Sequence, residues 1–61
     1  MAKCWCILNH SISEHYTKLA CRKTGSLIME GNNIYCFKGV TLSEWETACE
    51  NAGADGGNCN N

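Results

Sequence analysis

The chain has 61 residues, a net charge of −1, no proline and six cysteines. That length admits one domain, spanning 1–61, and leaves no room for a cleft-sized enzyme fold. Its five basic residues are scattered, which excludes a phosphate-binding surface for nucleic acid, and no apolar run approaches the roughly 20 residues that span a membrane.

The first segment, Cys4 to Leu8, is apolar and suits a strand. Asn9-His10-Ser11 breaks it. Ser11-Ile12-Ser13-Glu14 has the capping-box pattern. Ile12, Tyr16, Leu19, Ala20 and Lys23 then recur at helical spacing, which predicts a helix over 12–23 with Gly25 as the residue that ends it. Leu27 to Met29 reads as a short strand, Glu30-Gly31-Asn32-Asn33 as a turn, and Ile34-Tyr35-Cys36-Phe37 as a second strand, so the pair forms a hairpin. Thr41-Leu42-Ser43-Glu44 is a second capping box. Leu42, Trp45, Cys49 and Ala52 make the apolar stripe of the helix it opens, and Gly53 ends that helix. The tail, 54–61, is rich in Gly and Asn and offers a final strand only around Asn58-Cys59, where propensity is poor.

The two halves echo one another. Cys6 leads into Ser13-Glu14, Ala20-Cys21 and Gly25; Cys36 leads into Ser43-Glu44, Ala48-Cys49 and Gly53. A strand–helix unit used twice, with a hairpin between, gives the order β-α-β-β-α-(β). The expected fold class is therefore α+β: a disulfide-rich, two-layer, split ferredoxin-like sandwich, with two helices on one face of a three- to four-stranded sheet.

A domain of this size buries only about 60% of the surface its unfolded chain exposes, so it needs staples. Cys4, Cys6, Cys21, Cys36, Cys49 and Cys59 supply them as structural disulfides. Three bonds at roughly 2–4 kcal/mol each rival the whole stability of a small domain. Such bonds need an oxidising compartment, which predicts a secreted, extracellular protein. Ala2 and Lys3 lead straight into Cys4, so the chain reads as a mature form with Met1 left by a start codon. Of the fifteen possible pairings, two are disfavoured: Cys4–Cys6, two neighbours on one strand, and Cys21–Cys49, helix to helix. Cys49 lies on the core stripe and should bond a strand cysteine. Cys21 lies about 180° from Ile12 at 100° per residue, so either it points away from the sheet or the helix has unwound by then, and its partner is expected in a loop, a tail or a sheet edge.

Taken together, Cys4-Trp5-Cys6, Ala20-Cys21 to Gly25, Cys36, Trp45 to Gly53 and Cys59 resemble the pattern of small cysteine-rich secreted proteins of filamentous fungi. Several of these are plant-pathogen effectors, with an architecture similar to that of the smut-fungus viral toxin called killer protein six. The resemblance implies fold and source. It implies no catalytic residue, and the poor final strand departs from the family's four-stranded pattern.

Zinc is the competing use of the thiols. Cys4, Cys6, His10, His15 and Cys21 are suitable ligand types, yet Cys-x-Cys is not the Cys-x₂₋₄-Cys knuckle, and two histidines five apart do not share a helix face. No metal or cofactor is expected. Glu14, His15 and His10 could in principle exchange protons, but Glu14 reads as a capping residue and no enzyme is expected. Glu44, Glu46, Glu50 and Asp55 read as a solvated acidic face. If Cys4, Cys6, Ile34 and Cys36 face the helices, then Trp5, Ile7, Tyr35 and Phe37 face the other way. There they form an apolar patch of the kind that marks an interface.

The function read from the chain is thus a secreted effector or toxin that acts by binding a target, a protein or another component of a host or competitor. One alternative is an antimicrobial or membrane-active peptide, against which the charge of −1 argues. Another is a module that self-associates, weakly, as a homodimer through the open sheet face.

Overall fold

The computed structural model describes residues 2–22 and 25–60. Met1 and Lys23, the expected end of the first helix, lie outside the described residues. Seven elements follow in order: β1 (Ala2–Leu8), β2 (Ser11–Ser13), α1 (Glu14–Cys21), β3 (Ser26–Glu30), β4 (Asn33–Lys38), α2 (Leu42–Ala52) and β5 (Gly56–Asn60). The molecule is a small α+β domain with two helices, an antiparallel curled sheet and three disulfides.

The sheet is built around β1. One edge of β1 pairs with β5 from Lys3 to Ile7. The other edge is shared: β4 takes Ala2 to Cys4, and β2 takes Cys6 to Leu8. The main order is β5-β1-β4-β3, with every ladder antiparallel. Five strands therefore stand among the described residues, where three or four were expected. The tail forms a full strand despite its composition, because β1 offers it a complete edge and Cys59 is tied directly across the ladder to Cys4.

The additional strand, β2, corrects the reading of the first helix. Asn9 and His10 have φ of 53° and 68°. Positive φ at both central residues is what a two-residue type I′ hairpin requires, and Asn tolerates it well. The chain thus folds back at once, setting Ile12 opposite Ile7. Ser11 and Ile12 become strand residues, and the helix starts two residues later. Its cap is Ser13, whose Oγ accepts from the Tyr16 N–H at 3.2 Å. Glu14 has no capping-box role; it pairs with Lys18 one turn on, at 3.1 Å. By contrast, α2 begins as its sequence dictates. Glu44 N–H donates to Thr41 Oγ1 at 3.2 Å, and Thr41 N–H donates to Glu44 Oε1 at 2.9 Å. Gly53 then closes the helix at φ 119°, in the left-handed region where a side chain is disfavoured.

Both helices lie on the face of the sheet to which Cys4, Cys6 and Cys36 point. Cys6 bonds Cys49 of α2, and Cys36 bonds Cys21 of α1. These five cysteines, Trp45 and Thr17 are the most deeply buried side chains, with Ile34 and Ala54 at their margin. Cys49 bonds a strand cysteine, as its place on the stripe predicts, and neither disfavoured pairing occurs. Cys21 differs from expectation: it is buried and its partner lies in β4, not in a loop or tail. Ile12 lies in β2 and is not helical, so it does not set the phase of α1. Measured within α1, the inward face is Thr17 and Cys21, four residues apart.

The three disulfides are nested. Cys4–Cys59 encloses Cys6–Cys49, which encloses Cys21–Cys36, with separations of 55, 43 and 15 residues. No bond crosses another along the chain.

Candidate partner-binding face

Side chains alternate along a strand, so burying the cysteines of β1 and β4 dictates what stands on the opposite side. Trp5 and Ile7 of β1, with Tyr35 and Phe37 of β4, project from the face away from both helices, and all four are half-buried. The register brings them together. Lys3 stands opposite Phe37, and just past the end of that ladder, at Cys4–Cys36, Trp5 meets Tyr35. Their rings meet edge to face with centroids 5.6 Å apart. This is a favoured aromatic geometry, worth roughly 0.5–1.5 kcal/mol beyond area burial.

Two further apolar residues extend the patch. Ile12 of β2 is opposite Ile7, and Ile28 of β3 is opposite Tyr35; both are half-buried. Ile12 could have been found by reading Asn9-His10 as a two-residue turn, which sets it opposite Ile7. Ile28 carried its signal in the alternation of Leu27, Ile28 and Met29 about a paired strand.

Among the described residues, charge enters the face through one ion pair. The Lys3 ammonium lies 2.7 Å from Glu30 Oε1 and 4.8 Å from the centroid of the Tyr35 ring. It is held between a carboxylate and a π face, both of which favour the protonated form. The hydrogen bond to Glu30 raises the Lys3 pKa, with partial desolvation opposing it and the Glu30 charge reinforcing it. Along β5 the same face is polar, since Asn58 pairs with Trp5 and Asn60 with Lys3. Asn33 lies within 3.5 Å of the Tyr35 hydroxyl. The face is therefore an apolar centre of rings and isoleucines rimmed by amides and one ion pair.

The other residues singled out from sequence are not brought together. His10 sits in the hairpin turn, His15 packs edge to face on Tyr16 at 4.9 Å, and Glu14 is engaged by Lys18. All six cysteines are in disulfides, so no thiolate remains to act as ligand or nucleophile. A groove of about 420 Å³ runs between the helices, lined by Leu19, Ala20, Arg22, Ala48, Asn51 and Ala52. Its lining holds no nucleophile and no acid–base pair. No helix among the described residues is long and apolar enough to cross a membrane.

Compared with known proteins, the chain matches no family model, no curated protein and no solved structure.

Proposed function

We propose that the protein is a secreted effector or toxin that acts by binding a protein target through the open face of its sheet. The observation that carries this reading is the gathering of Trp5, Tyr35, Phe37, Ile7, Ile12 and Ile28 on the side that neither helix covers. An apolar patch with a polar rim is the usual form of a protein interface, and Trp and Tyr are favoured anchors within one. Three disulfides in 61 residues support an oxidising, extracellular setting. The fungal source rests on the cysteine order. The ferredoxin-like label rests on the strand order. β1 and β3 are parallel to each other, flank β4 and are joined through α1, while β4 and β5 flank β1 and are joined through α2. Each is a split βαβ unit, and β2 is an added strand.

The test is a pair of folded variants, Tyr35→Ser and Phe37→Ser, applied to leaf tissue and to competitor cultures beside the wild type. Loss of cell death or growth inhibition, with near-UV circular dichroism retained, supports the reading. Full activity in both variants would place function elsewhere. Leakage from liposomes at low concentration would favour the membrane-active alternative.

A further inference from the structure

Among the described residues, no strand pairs with the outer edge of the sheet at β3. Strand β3 pairs with β4 on one side and is last in the strand order. Of the three exposed large apolar side chains among the described residues, two lie on it: Leu27 at 48% and Met29 at 69%. Both point to the helix side, opposite Cys36 and Ile34, yet the helices leave them largely uncovered.

Proteins commonly guard such an edge with lysine, proline, a bulge or a covering loop. Ser26-Leu27-Ile28-Met29-Glu30 contains neither lysine nor proline, and its register with β4 runs without a bulge. Its single charge, Glu30, is engaged by Lys3 on the opposite face. The backbone is also poised for pairing. Gly31, at φ 60°, and Asn32 form a two-residue turn closed by Glu30 and Asn33. That closing pair is hydrogen-bonded in such a hairpin, so Ile28 and Ser26 also bond β4. Alternation then directs the N–H and C=O groups of Leu27 and Met29 outward.

We propose that this edge pairs antiparallel with β3 of a second copy of the chain. The strand is complementary to itself about Ile28. A two-fold axis through Ile28 sets Leu27 opposite Met29 of the copy, and Met29 opposite Leu27, so all four outward backbone groups of each strand are satisfied. The same register sets Glu30 opposite Ser26 and brings no like charges together. Each copy carries a net charge of only −1, so long-range repulsion is small. Leu27 and Met29 from both copies then pack across the seam on the helix side, and the two sheets become one. A ladder of this length buries less than the roughly 1,000 Å² of a lasting interface, so the dimer is weak and reversible. This pairing shares only Ile28 with the open face and does not depend on the function assigned to that face.

The test is sedimentation velocity of the oxidised full chain over a wide concentration series, with hydrogen exchange followed at the same concentrations. The wild type is expected to shift from monomer to dimer. The amides of Leu27 and Met29 are expected to exchange severalfold more slowly as it does so. Met29→Lys puts a charge on an exposed position and is expected to stay monomeric while keeping its near-UV spectrum. The exchange measurement needs no variant and stands even where a substitution disturbs folding. A wild type that stays monomeric overturns the proposal. So does a folded Met29→Lys chain that still associates, or a dimer in which the two amides exchange unchanged, as association through the Trp5 face would give.

Discussion

The two sides of the helix layer are held in different ways. On the α2 side, Trp45 is fully buried, its indole N–H donates to the Trp5 carbonyl at 2.8 Å, and Cys4–Cys59 and Cys6–Cys49 bind the strands beneath. Gly57 passes so close that a Cβ there would lie 2.7 Å from Cys49 Sγ and 2.8 Å from the indole nitrogen. On the α1 side the matching core position is filled by Thr17. Its Oγ1 accepts from the Cys6 N–H at 2.9 Å and donates to the Ser13 carbonyl. One disulfide, Cys21–Cys36, joins this side to the sheet, and among the described residues the strand beyond it pairs on one edge alone. One side is thus held by close packing of a large ring, the other by a buried hydroxyl that replaces a missing ladder bond at the point where β4 gives way to β2.

The largest effect should come from the packed side. Trp45→Ala is expected to cost about 3–5 kcal/mol, by loss of transfer energy and creation of a cavity. Thermal unfolding of the oxidised chain measures it, and a loss near 1 kcal/mol would erase the contrast between the sides. Replacing Cys21 and Cys36 together by alanine should cost about 3 kcal/mol for a 15-residue loop. It should also raise hydrogen exchange in α1 and β3 more than in α2; uniform exchange would show that the two sides unfold as one. Thr17→Val keeps the shape but strands the Cys6 N–H, so about 1–3 kcal/mol is expected. Thr17→Ser should restore most of it, and failure to do so would assign the cost to the methyl group instead.

How much of this was legible in the sequence divides along the same line. The α2 side announced itself, because Thr41, Glu44, Trp45, Cys49 and Gly53 act through bonds to residues a turn away or through one regular stripe. The α1 side did not. Ser11 and Glu14 had the spacing of a capping box, but a two-residue hairpin captured Ser11 first, and a tertiary pairing overrode the local signal. With Ile12 in a strand, the phase of α1 is set by Thr17 and Cys21, which face inward. Trp5, Ile7, Tyr35 and Phe37 follow from strand alternation alone once the cysteines of β1 and β4 are inside. The last strand was hard to read because Gly and Asn carry little propensity of their own. What orders them is the edge of β1 and the bond to Cys59.

The smallest expected effect lies on the open face and sharpens the contrast by showing what does not matter to either side. The folded Lys3 pKa is raised by Glu30, so stability from this pair is present below the ordinary lysine value and is lost as pH rises through the raised one. Melting followed across the alkaline range should therefore show a shallow decline that Glu30→Gln removes. An equally steep decline in that variant would assign the titration to other groups.

The nesting of the three disulfides has a consequence for processing. Any single backbone cut between Cys21 and Cys36, at the Gly31-Asn32 turn for example, divides the chain into two peptides that remain joined by all three bonds. Such a cut leaves the mass unchanged but for one water until the protein is reduced. The domain can accordingly exist as a two-chain molecule that keeps its pairing, and electrophoresis with and without reductant tells the two forms apart.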